Sequence, residues 1–408
     1  MSGLISPLLS PLAQAILSIA RPTEQILAPG DGHWSHSDPL LGDVLALYKN
    51  GEQGALYYFT EDFAGLYQDY AGTIPVTAVG QPVGLMLDRR FGLRREANLL
   101  SPSGWQTRGG TGSPWDVSTP GRASIATGAG TGNTDLLPSE NGGTNTFPMV
   151  EMGRTYEVSF DYEVTAGSLN IYALNGSPQS GITGVGTFRS ITLAISARTL
   201  LIRAVPGSGG CLATVSNWTV RELPGNHASQ LTPPARPRLQ RDGNGKLHLA
   251  FDGVDDGLAT ATFPAGTLLN NMDCFVLLRL DEAPADDALI ADWSGTPKRY
   301  LLALGGVGPV SSNSGSPTYA VNGLTVTTSR PALLSEIGGV GQWAVVEIRN
   351  PNLTGWASFG LNNFVTHSMP ITYEGFVLLP AQSEENRAKV RSFLASRAGI
   401  TLPEGVPA

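Results

Sequence analysis

The sequence predicts a mainly β protein: an N-terminal region, two antiparallel β-sandwiches and a closing C-terminal helix. Three observations predict it. The 408 residues include 50 Gly and 29 Pro, nearly one residue in five, and turns draw on Gly for positive φ and on Pro for a preset φ. The stretch Thr155–Val164, TYEVSFDYEV, places Tyr156, Val158, Phe160, Tyr162 and Val164 on one face and Glu157, Ser159, Asp161 and Glu163 on the other. That is the period of a half-buried strand. Strand-like runs then recur at roughly 10–15-residue spacing with turn residues between them, the rhythm of a sandwich.

Charge narrows the function classes. Only 15% of residues are charged and the net charge is −8, the wrong sign for neutralising phosphates, so no nucleic-acid partner is expected. No apolar run approaches the roughly 18 residues that span a bilayer, so no membrane insertion is expected. Pro7 and Pro11 interrupt an N-terminus that lacks a basic segment, and no signal peptide is expected. Cys211 and Cys274 fall in different predicted sandwiches, which argues against a disulfide framework.

The elements follow in order. Residues 1–40 form an arm, with a short helix over Pro11–Arg21 that carries Leu12, Ile16 and Ile19 on one face and stops at Pro22. Residues 41–95 form a compact module with a short helix at Asp43–Tyr48, a strand at Tyr57–Phe59, and a run of short strands and turns over Phe63–Asp88. The basic run Arg89, Arg90, Arg94 and Arg95 reads as a solvated linker or rim. Residues 96–222 form the first sandwich. It opens on glycine-rich loops and continues through strands at Thr155–Val164, Leu169–Leu174, Phe188–Ile195, Thr199–Ala204 and Val215–Val220. Residues 223–240, LPGNHASQLTPPARPRLQ, read as a Pro-rich linker.

Residues 241–408 form the second sandwich, with strands at Leu247–Phe251, Phe275–Leu280, Leu289–Trp293, Tyr300–Leu304, Tyr319–Val326, Trp343–Arg349, Trp356–Leu361 and Thr372–Leu378. Gly305–Gly308 and Gly338–Gly341 read as hairpin loops. The final helix is capped by Ser383, carries Glu384 and Glu385 at its start and Lys389, Arg391 and Arg397 toward its end, and terminates at Gly399. Val390, Phe393 and Leu394 give its packing stripe.

Six stretches carry four resemblances. Leu66–Asp88, LYQDYAGTIPVTAVGQPVGLMLD, resembles a module near the N-terminus of tail and fibre proteins of tailed bacteriophages and prophages. The stretch MVEMGRTYEVSFDYEV, with SNWTVREL as its closing strand, resembles the jelly roll of carbohydrate-binding modules. LAFDGVDDGL and the later YEGFVLLP resemble laminin-G or concanavalin-A-like domains. RAKVRSFLASRAGITLP resembles the helix that follows such domains in phage structural proteins. Together they imply a virion tail component (fibre, tail-tip or baseplate-associated) assembled in the host bacterial cytoplasm. They imply attachment to other tail or baseplate proteins through residues 1–95, a homotrimer, and recognition of a host surface glycan such as lipopolysaccharide.

Candidate sites are few. Trp105 and Trp115 lie among glycines and polar residues and are the expected sugar-stacking pair, whereas Trp218, Trp343 and Trp356 sit in strand-like runs and read as core. Asp252, Asp255 and Asp256 form the densest carboxylate cluster. Hard cations take several oxygens, so calcium is the expected ion if one binds; the same DGVDDG is also a good tight turn. His33 and His36 are three apart without a supporting Cys or Glu and read as a loop. No G-x-S-x-G, H-E-x-x-H or Walker pattern is present, no pair of carboxylates stands out, and no catalytic residues are expected. Two other classes remain in play: a purely structural or decoration protein of the virion, and a glycan-cleaving tailspike-type enzyme.

Overall fold

The computed structural model describes residues 39–407 except 94, 102, 103, 110–113, 175, 177, 195, 196, 261–267, 269, 293–298, 307, 357 and 363–369. The helix expected at Pro11–Arg21, the histidines 33 and 36, and Trp293 lie outside the described residues. The protein is mainly β, built from antiparallel sheets, with a C-terminal helix.

The N-terminal part contributes α1 (Pro39–Ala46), β1 (Ala55–Tyr58), β2 (Leu66–Tyr67) and β3 (Leu85–Met86). The first sandwich contains β4 (Trp105–Arg108), β5 (Arg122–Thr127), β6 (Thr134–Pro138), β7 (Thr155–Ala173), β8 (Pro178–Leu193), β9 (Leu200–Val205) and β10 (Cys211–Leu223). The two strands expected at 155–164 and 169–174 are one long strand. Its first half pairs with β10, which pairs with β5, and its second half pairs with β9, which leads to β6 and β4. β8 follows β7 through both halves. The sheet thus folds over on itself, with the register broken between Val164 and Leu169. Gly167 sits in this corner at φ 70°, and a side-chain Cβ there would come within 2.7 Å of the Val205 carbonyl oxygen, so the close turn needs glycine. The alternating apolar residues of β7 fill the interior together with Trp105, Phe188 and Trp218.

The second sandwich adds β11 (Ala228–Ser229), β12 (Arg238–Arg241), β13 (Leu247–Asp252), β14 (Leu258–Thr260), β15 (Met272–Leu280), β16 (Asp286–Asp292), β17 (Arg299–Gly305), β18 (Thr318–Val321), β19 (Leu324–Val326), α2 (Arg330–Ile337), β20 (Trp343–Arg349), β21 (Gly360–Leu361), β22 (Pro370–Pro380) and α3 (Glu384–Ala398). One sheet runs β12-β13-β22-β15-β20-β18-β19 and the other β17-β16-β21-β14-β11-β3-β2. Their inner faces bury a large apolar core around Phe251, Val276, Leu302, Tyr319 and Phe376. α1 and α3 cover the back of the first of these sheets through Val44, Tyr58, Phe275, Val377, Phe393 and Leu394.

Several expectations are corrected. Residues 41–95 do not form a separate module: β1 pairs with β22, and β3 pairs with β11. Residues 223–240 do not form a free linker, because β11 joins β14 to β3 and β12 pairs with β13. Short strands such as these cannot stand alone and are stabilised by joining a sheet with strands from elsewhere in the chain. After Gly305 the chain turns back on β17 as expected of a hairpin loop, with the Ala303 amide donating to the Val310 carbonyl and Tyr300 bridging Ser312, before it crosses to β18 in the other sheet. Gly338, at φ 87°, ends the unexpected helix α2, whose N-cap Ser329 accepts from the Ala332 amide. The run Tyr319–Val326 is a hairpin, β18 to β19, turned at Asn322-Gly323, both with positive φ.

Of the basic run, Arg94 lies outside the described residues and the other three are engaged by the protein rather than solvated. Arg89 and Arg90 are buried. Arg89 lies over the Tyr58 ring and donates to the Ala64 carbonyl, and Arg90 pairs with Asp88 at 2.8 Å. Arg95 pairs with Glu157 of β7 at 2.9 Å, and Arg189 of β8 reaches the same carboxylate at 2.6 Å. With the Ile191 amide donating to the Ala71 carbonyl, these contacts fasten the first sandwich to the segment that completes the second.

Candidate functional site

The expected sugar-stacking pair is buried, which corrects that assignment. Trp105 is only 8% exposed and Trp115 only 2%. Trp105 opens β4 and meets Trp218 edge-on, with ring centroids 5.5 Å apart. Trp115 donates its indole N–H to the Thr134 carbonyl at 3.3 Å. Neither face is free for a pyranose. Trp218 and Trp356 are buried as expected, and Trp343 is half-buried.

The outer face of the first sandwich carries a better arrangement. Alternation on β7 turns Asp161 and Glu163 outward while Phe160 and Val164 enter the core. The antiparallel register then sets rows across the sheet. Arg122, Ser216, Asp161 and Thr187 occupy one row; Ser124, Thr214, Glu163 and Val185 occupy the next. Seven of these residues line a cleft of about 480 Å³ together with Tyr162 and Gly186; Ser124 is the row member outside it. Val185 is 79% exposed, and Leu212, two residues along β10 from Thr214, is 51% exposed, so apolar surface flanks the polar rows.

A β-bulge completes the site. The pairing of β10 with β7 slips between Ser216 and Thr219, and Asn217 takes the left-handed conformation at φ 55°. The extra residue lets Trp218 enter the core while Asn217 stays at the surface, the usual effect of a bulge on side-chain aim. Asn217 donates its amide to one oxygen of Asp161 at 2.7 Å, and the Thr187 hydroxyl donates to the other at 2.7 Å. The bonds from Thr187 and Asn217 hold the Asp161 carboxyl below its usual range. It is therefore a fixed, ionised acceptor, the opposite of the raised carboxyl that a general acid needs. The alternation of β7 was legible and already placed Asp161 and Glu163 on the polar face. Asn217 and Thr187 were missed, because a bulge and a cross-strand row both depend on pairing register.

The acidic turn holds its expected members together: carboxylate oxygens of Asp252, Asp255 and Asp256 lie within 4.8 Å of one another. The turn also uses them internally. Asp252 accepts from the Val254 amide at 2.8 Å, and Asp256 accepts from the Asp252 amide at 3.0 Å. Burial, with Asp252 and Asp255 adding repulsion, pushes Asp256 up to about 6. The oxygen set suits a hard cation such as calcium, and below that pH a proton on Asp256 competes with it.

A second concavity of about 290 Å³ lies between the sandwiches, lined by Gln53, Arg90, Phe91, Arg154, Glu222 and Asn226 among others. Its polar groups serve the protein. Arg90 binds Asp88, Arg154 binds Glu222 at 2.6 Å, and Asn226 donates to the Gly54 carbonyl.

No protein-family model and no curated protein matches the chain. Among solved structures, the chain is similar to the N-terminal CBM22-1-CBM22-2 tandem domain of Xyn10C from Paenibacillus barcinonensis, at 12% identity over 74% of this chain and 100% of that one, with a TM-score of 0.21. It is also similar to the ANXUR2 extracellular domain from Arabidopsis thaliana, at 7% identity over 64% of this chain and 83% of that one, with a TM-score of 0.17.

Proposed function

We propose that this chain is a non-enzymatic tail component of a tailed-phage virion that binds a host surface glycan through the outer cleft of its first sandwich. The single observation that supports glycan binding is the row Arg122–Ser216–Asp161–Thr187 with its Asn217 bulge. It sets a fixed carboxylate, hydroxyls and a guanidinium on the outer face of the sheet beside exposed apolar side chains. Sugars offer that same mixture of hydroxyl donors and apolar C–H faces. The virion reading rests on the sequence resemblance of Leu66–Asp88. In this reading residues 1–95 face neighbouring tail or baseplate proteins, the chain is a trimer, and its three weak sites act together on a dense surface. Tethered sites gain avidity without any new contact.

The test is binding of the full-length protein to a printed panel of bacterial surface polysaccharides, with Asp161→Ala as the paired variant. Saturable binding that weakens at least about tenfold in the variant is expected, since a hydrogen bond to a charged group contributes about 1.5–3 kcal/mol. Binding that the variant leaves untouched puts the glycan site elsewhere. The absence of binding to every member favours a structural or decoration role.

A further inference from the structure

The hydrogen-bonding inventory of the cleft discriminates between sugars. Its charged lining groups are two carboxylates, Asp161 and Glu163, and one guanidinium, Arg122. Thr187 spends its single hydroxyl proton on Asp161, so toward a ligand it offers only acceptor lone pairs. Asn217 likewise commits an amide proton to Asp161. The centre of the floor is therefore rich in acceptors and carries net negative charge. Arg122 lies on β5, at the end of the strand order and exposed, on the far side of β10 from β7.

We infer that the cleft takes a donor-rich, non-anionic sugar, one with adjacent free hydroxyls or an amine over Asp161 and Glu163, and rejects units bearing uronate or phosphate. This rests on the glycan-binding reading and narrows its ligand. Adjacent sugar hydroxyls donate in pairs to the two carboxylates, while Ser216 and Thr214 supply adaptable hydroxyls at the edges. An anionic substituent brings acceptors only. Set over Asp161 it meets like charge and unpaired lone pairs, and specificity of this kind comes from repulsion as much as attraction. The low titration range of Asp161 keeps that repulsion in place through mildly acidic conditions.

The decisive comparison is one uronate-containing polysaccharide against its carboxyl-reduced form, in which each uronate has become a primary alcohol. Both are titrated onto the full-length protein at low and physiological salt. The reduced form is expected to bind at least about tenfold more tightly than its parent, with the gap narrowing as salt screens the repulsion. Equal or tighter binding of the native acidic polymer overturns the inference and leaves glycan binding standing. Failure of both forms, together with every neutral and aminated member of a wider panel, overturns the glycan reading as well. The comparison changes only the ligand, so no variant has to fold for it to be read.

Discussion

Asp161 and Asn217 show how much a single residue's backbone state decides. Asn217 holds φ 55°, a region that costs most L-residues about 1–2 kcal/mol and that Asn and Gly tolerate. Asn217→Gly keeps the backbone and removes the hydrogen bond to Asp161; Asn217→Ala removes the bond and strains the backbone. Both variants are expected to weaken glycan binding. Only the alanine is expected to lose about 1 kcal/mol more stability than the glycine in urea denaturation; equal stabilities would mean that the bulge relaxes. The same scale explains the errors in reading Trp105, Trp115, Arg89 and Arg90. Glycines and polar neighbours in sequence describe a loop's composition, but burial depends on what lies across space. Trp105 meets Trp218, more than a hundred residues away, and Arg89 lies over Tyr58. Neither partner can be named without the fold.

At the scale of elements, α3 was legible to its ends. Ser383 accepts from the Asn386 amide and Gly399 closes the helix at φ 67°, because caps are local chemistry. Its basic residues were not legible in the same way. Arg391 is fully buried against Glu347 at 2.5 Å, Arg387 meets Asp273 at 2.9 Å, and Arg397 meets Glu374 at 2.9 Å. They anchor the helix to the sheet beneath, beyond any effect on its dipole. Glu347→Ala leaves the buried Arg391 without its nearest carboxylate and is expected to cost about 3–5 kcal/mol, read as a lowered denaturation midpoint; a loss below about 1 kcal/mol would show that Glu384 suffices as partner.

Glu374 adds a pH dependence to the same layer. Burial outweighs the nearby Arg397 and raises its carboxyl from the ordinary value to about 7. The folded state therefore holds this proton more tightly than the unfolded chain. The resulting stability is present below the unfolded value near 4.5 and is lost as pH rises through about 7. His227 and His248 work in the other direction. Burial lowers both, so each costs stability as pH falls through the ordinary imidazole range. Comparing wild type with Glu374→Gln isolates the carboxyl. The difference between them is expected to favour the variant increasingly from pH 5 to pH 8, and a constant difference across that range would refute the buried-proton account.

The whole molecule is tied together by contacts far apart in sequence. The Tyr48 hydroxyl donates to the Leu378 carbonyl at 2.7 Å, a separation of 330 residues. The Asp88 carboxylate accepts from the Leu56 and Asn226 amides, and the Asp88 amide donates to His227 Nδ1. The resemblance of Leu66–Asp88 marked this stretch as a unit, yet no local pattern discloses that its strands complete a sheet begun after residue 228. A chain starting at residue 96 is therefore not a pair of intact sandwiches freed of a separate N-terminal region. It lacks the strand that covers one edge of β22, the end pair β2–β3, and the α1 face that covers Phe393 and Val377. An uncovered edge and an open apolar face favour association between copies. Such a truncation is expected to be insoluble or to bind a hydrophobic dye, with residues 241–408 losing amide protection from hydrogen exchange. The isolated first sandwich, residues 96–222, keeps its own core and is expected to remain folded. A soluble truncation with native-like protection throughout would mean that β1 and β3 are passengers on the second sandwich. Any part residues 1–95 play in assembling the virion would then be separable from the fold. The expected collapse makes the N-terminal strands part of the fold itself, joined directly to the sheet beneath α3.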